Sequence, residues 1–337
     1  MRARGRAGMR LDATDRRVLA ALQDSFPVCR RPYAEVARRA RISEKRLLHR
    51  IAGYKAQGIV RRIGPRWDAR ACGLDTVLVA VSVPRLKVRA AAARIGALAG
   101  VTHNYLRRHP LNVWFTLASA SPAERRRRLG ELRRLIRPRR MLVLPATRLF
   151  KLGVVFDLGV RGGKGGEISR GPIPAPRPAG GARPRAALGR IPNDLPLVSA
   201  PFPPGTVGAV RACLASGRMR RFGAVLDGRA LGLGYHALVA WKVPRERVGE
   251  AGRALASFEA VSHCYARRTA PSWPYALYTM VHARDRRQAS RVLREMSAAA
   301  KDSGRAILET VRTLKRLPLV PSAFPADPGR GGPSGRP

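Results

Sequence analysis

The feature that most constrains this chain is that it contains the same segment twice. Arg61-Arg62-Ile63-Gly64, followed by Asp68, Arg70, Gly73 and Leu74, returns as Arg220-Arg221-Phe222-Gly223, followed by Asp227, Arg229, Gly232 and Leu233. Val83-Pro84 answers Val243-Pro244, and VTHNYLRR (101–108) answers VSHCYARR (261–268). Identities kept in one order over such a span indicate a duplicated domain rather than a short solenoid repeat. The stretch over 159–192, rich in Gly, Pro and Arg and without apolar periodicity, reads as the linker between the copies, and 318–337 reads as a disordered tail. A chain of 337 residues has room for several cores.

Within the first copy, 11–66 predicts a winged helix-turn-helix domain. Val18, Leu19 and Leu22 share one face of a first helix, Tyr33, Val36 and Ala37 mark a second, and Ser43 caps a third that buries Leu47, Leu48 and Ile51. Gly58 to Gly64 follows as a small wing. Over 67–158 the pattern changes to strand, helix, strand, strand, helix, strand, the βαββαβ order of a ferredoxin-like domain. The second copy repeats that order over 227–317. Its front end, 193–226, is too short for three helices, and Pro201, Pro203, Pro204 and Gly205 predict that no helix begins there, leaving a degenerate helix-turn-helix. The fold class is therefore α+β, a winged helix-turn-helix plus a ferredoxin-like domain, duplicated.

The net charge of +45 would attract any polyanion, but Arg-, Ala-, Gly- and Pro-rich composition throughout the chain is also what a GC-rich genome produces. Charge alone does not separate nucleic acid from a small polycarboxylate. No apolar run reaches the ~20 residues that span a bilayer, and the basic first ten residues lead into no apolar signal segment. Cys29, Cys72, Cys213 and Cys264 are scattered, without a CxxC pair, which points to a reducing cytoplasm and to no protein-bound metal. Nucleotide-binding glycine motifs are missing, since Gly162 to Gly166 lies in the linker with no helix after it.

The finer match is to one family. QDSFPVCRRPYAEVARRARISEKRLLHRI, RRIGPRWDARACGL, GVTHNYLRRHPLNVWFTL and LPATRLFKLGVVFDL resemble the D-type (or A-type) half of the siroheme decarboxylases, within the Lrp/AsnC superfamily. LPLVSAPF, RRFGAVLDGRALGLG, VSHCYARR and SWPYALYTMVH resemble the L-type (or B-type) half. The resemblance implies a carboxy-lyase that removes two acetate carboxyl groups from siroheme, giving 12,18-didecarboxysiroheme on a route to heme d1 or heme. It implies no cofactor beyond the iron of the substrate, and as partners either a second copy of the chain or homologous decarboxylase subunits, without membrane or DNA.

Siroheme carries eight carboxylates, and arginine binds a carboxylate through two parallel hydrogen bonds. Arg107, Arg108, Arg267 and Arg268 end the strands that carry the repeated His-Xaa-Tyr triplets. Alternation along a strand puts His103, Tyr105 and Arg107 on one face, and His263, Tyr265 and Arg267 on its counterpart. His103 and His263 are the candidate proton donors or substrate orienters, and ligation of the substrate iron by one of them stays open. Tyr105, Tyr265, His109, Trp114 and Trp273 complete the candidate substrate-binding set. His49 and His282 read as structural or exposed, and His236 has no evident partner. Two other functions use the same features: a DNA-binding regulator, through Arg46 and Arg50 on the third helix, and a tetrapyrrole sensor without turnover.

Overall fold

The computed structural model describes residues 11–153, 156, 158 and 188–320. Most of the linker expected over 159–192, all but three residues of the tail, and the first ten residues lie outside them. The first copy opens with α1 (Ala13–Asp24), α2 (Pro32–Ala40) and α3 (Glu44–Ala56), and Ser43 caps α3 by accepting from the backbone N–H of Arg46. Strand β1 (Val60–Trp67) follows, then β2 (Asp75–Ser82), α4 (Val88–Ala97), β3 (Val101–Arg107), β4 (Val113–Ser119), α5 (Pro122–Ile136) and β5 (Arg140–Leu152). The second copy gives α6 (Thr206–Ala215), β6 (Met219–Leu226), β7 (Tyr235–Trp241), α7 (Val248–Ser257), β8 (Val261–Arg267), β9 (Leu277–Ala283), α8 (Arg286–Ala300) and β10 (Arg305–Arg316).

One expectation is corrected. A helix does form in the shortened front end, because the prolines precede α6 instead of interrupting it. Gly205 takes a left-handed turn at φ 77°, and Thr206 donates from its backbone N–H and its hydroxyl to the carbonyl of Pro203. The wing expected at Gly58 to Gly64 pairs across the duplication: β1 and β6 form one antiparallel two-stranded sheet, with Arg66 opposite Arg221. α1, α2, α3 and α6 bury Leu19, Leu22, Leu47, Ile51 and Val210 beneath that sheet, and Leu188 and Ile191 join the same core.

The repeated residues have physical reasons. A Cβ on Gly64 would meet the Asn193 carbonyl oxygen at 2.2 Å, and one on Gly223 would meet that of Leu22 at 2.6 Å, so each Arg-Arg-Xaa-Gly segment needs its glycine for close backbone approach. Asp68 Oδ1 accepts from the N–H groups of Arg70 and Ala71, and Asp227 Oδ1 from that of Arg229, each closing a turn that ends at a left-handed glycine, Gly73 or Gly232.

The ferredoxin-like sheets do not remain separate. Their last strands are long enough to serve both copies. Arg140 to Pro145 of β5 pairs with β2, while Ala146 to Leu152 pairs with β8 of the other copy. Reciprocally, Arg305 to Glu309 of β10 pairs with β7, and Thr310 to Arg316 with β3. The exchange closes an eight-stranded antiparallel barrel, β10-β3-β4-β2-β5-β8-β9-β7, which leaves neither sheet an open edge. Both faces of its strands are covered. Val77, Val79, Val81, Phe115 and Leu117 face α4 and α5, whereas Leu78, Ala80, Trp114, Leu144, Tyr278 and Leu308 fill the inside.

Candidate active site

The His-Xaa-Tyr-Xaa-Arg faces of β3 and β8 are the inner faces of this barrel. Asn104 points the other way, donating to the Ala92 carbonyl of α4, and Cys264 likewise points to Gly252 of α7. On β3 the His103 and Tyr105 rings are stacked with centroids 6.3 Å apart, and the Arg107 guanidinium lies 5.0 Å from the Tyr105 centroid. On β8, Arg267 lies 5.0 Å from the Tyr265 centroid. The alternation thus builds two matching columns of histidine, tyrosine and arginine, one from each copy.

The arginines at the far ends of these columns are committed to protein. Arg107 is buried and donates through Nη1 to the Leu308 carbonyl and to Thr310 Oγ1, where β10 crosses between copies. Arg267 donates to the Leu144 carbonyl at the matching point of β5. Burial lowers Arg107 to about 10. Arg108 and Arg268 are exposed, and Arg108 pairs with Glu309 at 3.5 Å. His109, Trp114 and Trp273 group together instead. The Trp273 ring is 5.4 Å from His109 and 5.7 Å from Trp114, whose Nε1 donates to the Leu111 carbonyl. Trp273 donates to the Tyr278 hydroxyl.

The histidine ends of the columns meet the β1–β6 sheet. Arg61 donates to the backbone carbonyl of Arg316, which stands opposite His103 in the ladder. His103 is depressed to about 3, by burial first and then by the positive charges of Arg316, Arg66 and Arg61. His263 is also pushed well below its ordinary value, by burial, then by Arg66, His282, Arg220 and His103. Arg66 therefore acts on both histidines, and each copy's histidine lies within electrostatic reach of the other's.

Arg66 was not singled out from the sequence, and it is the most telling residue here. Burial and the charges of Arg220, Arg221, Arg62 and Arg316 lower it to about 9. Arg220 has Asp68 at 3.9 Å and Arg316 has Asp227 at 3.5 Å. Among the described residues Arg66 has no carboxylate partner. A half-buried cation crowded by four others and left without a counter-ion is costly unless an anion supplies the missing charge. Only the first copy carries it, since the matching position in β6 is Val225, so reading the repeat for shared residues passes over it.

The second copy adds polar groups that the sequence did not connect. The β7–β9 register sets His236 opposite His282, with Nδ1 to Nδ1 2.7 Å apart. His282 Nε2 is 2.7 Å from Ser262 Oγ, which is 2.8 Å from His263 Nδ1. Among the described residues no group of three or more His, Cys, Asp or Glu side chains is arranged to hold a metal ion, and no helix is long and apolar enough to cross a membrane.

These features define a class: a duplicated winged-helix protein whose two ferredoxin-like domains close one barrel, with a histidine, a tyrosine and an arginine from each copy on its inner face. Comparison with known proteins narrows it. The model of the AsnC-like ligand binding domain matches 71–151 and again 230–315, and that of the siroheme decarboxylase NirDL-like HTH domain matches 15–61. A siroheme decarboxylase from Hydrogenobacter thermophilus is 32% identical over 315 residues, which cover 89% of this chain and 92% of the relative. The crystal structure of the siroheme decarboxylase NirDL superposes with a TM-score of 0.67 at 28% identity, covering 92% of this chain and 94% of that one. The structure of NirDL in co-complex with an iron-uroporphyrin III analogue gives 0.65 at 26% identity, covering 91% and 94%. The chain belongs to the siroheme decarboxylase family.

Proposed function

We propose that this chain is a carboxy-lyase that decarboxylates two acetate side chains of siroheme, and that it does so in one composite site between the β1–β6 sheet and the barrel. The observation that carries this reading is Arg66, a guanidinium without a counter-ion among the described residues, surrounded by Arg62, Arg220, Arg221 and Arg316 and set beside both histidines. A substrate with eight carboxylates supplies the missing negative charge. The related NirDL structure is a co-complex with an iron-uroporphyrin III analogue.

Breaking the bond between methylene and carboxylate releases carbon dioxide and leaves the electron pair on the methylene carbon, which must then take a proton. His263 and His103 supply imidazole at the inner wall for that transfer. Both are held neutral by burial and by the surrounding arginines, so a proton leaves as a shift between ring nitrogens rather than from a standing imidazolium. Tyr105 and Tyr265 present flat rings backed by Arg107 and Arg267, which suits stacking against a macrocycle. Arg107 and Arg267 hold the two strand exchanges in place, and the carboxylates fall to Arg61, Arg66, Arg220 and Arg316. Iron belongs to the substrate, and this reading uses no other cofactor.

Relatives that match less than half of this chain are described as alpha, NirG and NirD subunits, which favours assembly with homologous subunits or a second copy, in the cytoplasm. The products would enter a route to heme d1 or heme. Regulation through DNA is the weaker reading, because Arg50 on α3 is held by Asp12 and Asp15 and so is not free to meet phosphate. Anaerobic incubation of the purified chain with siroheme, followed by mass analysis, tests the proposal. Loss of carbon dioxide is expected, and tight binding without any loss would turn the reading to a sensor.

A further inference from the structure

The two histidine columns match in sequence but not in what stands behind them. Behind His103, Nδ1 is 2.9 Å from Thr102 Oγ1, and the matching ladder positions hold Thr76 opposite Ala118. Neither can pass a proton between two ring nitrogens. Behind His263 the corresponding positions hold Ser262, His282 and His236, joined by contacts of 2.8, 2.7 and 2.7 Å.

We propose that Ser262, His282 and His236 form a proton relay that reloads His263, making His263 the acid of the decarboxylation and His103 an orienter. The proposal rests on the substrate reading given above. The three contacts share a consistent set of hydrogens. His236 Nδ1–H donates to His282 Nδ1, His282 Nε2–H donates to Ser262 Oγ, the hydroxyl donates to His263 Nδ1, and His263 keeps its hydrogen on Nε2. His282 and Ser262 then each donate once and accept once, while His236 donates at one end of the line and His263 accepts at the other, with all three imidazoles neutral.

The chemistry balances along that line. The carbon–carbon bond breaks, carbon dioxide leaves, and the electron pair on the methylene carbon takes the proton from His263 Nε2. His263 Nδ1 takes the hydroxyl proton of Ser262, whose oxygen takes the proton from His282 Nε2. His282 Nδ1 takes the proton from His236 Nδ1, and His236 Nε2 takes one from water. One proton enters for the carbon dioxide lost and no oxidant or reductant is needed; the line is left in the opposite tautomers and returns to the starting ones by proton exchange with water before the next carboxyl group leaves. His236 is the outer end of the line, and because its Nε2 is buried without a hydrogen-bond partner among the described residues, water reaches it when the neighbouring turn opens. It lies against the turn at Gly228, whose Cβ would sit 3.4 Å from His236 Cε1, and the next residue, Arg229, is exposed. Phe156 lies edge-on to His282 at 6.3 Å, packing an apolar ring against the relay. Burial lowers His282 to about 3 and His236 to about 4, which keeps both in the neutral form that the relay uses.

The test compares Ser262→Ala, Ser262→Thr, His282→Gln and His263→Gln in the full chain with siroheme under anaerobic conditions, reading kcat by mass analysis and binding by optical titration. Glutamine keeps hydrogen-bonding groups but cannot exchange a proton between them. The relay predicts that Ser262→Ala and His282→Gln lose roughly tenfold or more in kcat, within the usual range for a positioned acid, with binding unchanged. Ser262→Thr, which copies Thr102 and restores the hydroxyl, is expected to recover most of the loss. Full activity in Ser262→Ala and His282→Gln, with His263→Gln inactive, overturns the relay and leaves the site reading intact. Equal loss in Ser262→Ala and Ser262→Thr also overturns it, because packing would then be the cause. Full activity in His263→Gln would instead remove the site reading on which the relay rests.

Discussion

Replacing Arg66 with methionine should make the empty protein more stable and its substrate binding weaker. The guanidinium is lowered from 12.5 to about 9, which at about 1.36 kcal/mol per tenfold corresponds to roughly 5 kcal/mol of cost for holding its charge in the empty site. Solvent screening of a half-buried group reduces that to about 2 kcal/mol. Methionine keeps much of the length and apolar volume without the charge. A gain of that size would raise the melting temperature of the ligand-free chain by roughly 3 °C. In the complex the same change deletes a charge-assisted hydrogen bond to a carboxylate, about 1.5–3 kcal/mol, or roughly 10- to 150-fold in affinity. Thermal melting of the free protein and anaerobic optical titration with siroheme measure the two effects. A variant that melts no higher and binds equally well would refute the argument that this charge is held for an anion.

Acidification gives a second prediction. His103, His282 and His236 have folded values of about 3, 3 and 4 against 6.5, so the unfolded chain binds more protons than the folded one below 6.5. Stability is therefore retained above about pH 6.5 and lost as pH falls towards 4, by at least about 1.4 kcal/mol per pH unit once one histidine is fully in its window. Denaturant titrations at pH 7, 6 and 5 would show this, and a flat profile would count against neutral buried histidines. Gly64→Ala should destabilise the chain by about 1–3 kcal/mol, because its methyl group meets the Asn193 carbonyl, while Gly53→Ala, inside α3 with open space around it, should stabilise by up to about 1 kcal/mol; equal denaturation midpoints would contradict the close-approach argument. Arg107→Met should loosen the β3–β10 crossing, seen as faster amide exchange at Thr310 and Thr313. Unchanged exchange there would show that Leu308 and Thr310 do not need their donor.

Much of the fold is legible in the sequence because repeated residues carry local geometry. Ser43 caps α3, the Asp68 and Asp227 turns end on Gly73 and Gly232, and alternation places His103, Tyr105 and Arg107 on one face. The strand exchange is not legible. A ladder between β5 and β8 uses the same backbone groups as one within a domain, so Ala146 to Leu152 carries no side-chain pattern that names its partner. The same limit hides the site's asymmetry. Arg66 answers Val225, Arg316 answers Leu152, and His282 answers Ala118, so the residues that distinguish the copies are those a comparison of repeats discards. His236 and His282 are 46 positions apart, and only the β7–β9 register brings their rings together.

The most direct test of one composite site is the mass distribution of tetrapyrrole products from His263→Gln, followed over time beside the unaltered chain. If the histidines of both copies serve one site whose acid is His263, the variant still binds siroheme and releases neither carbon dioxide, leaving the substrate mass unchanged. If instead the variant converts siroheme to a product lacking one carbon dioxide at the unaltered rate, each copy works alone and the shared site is wrong.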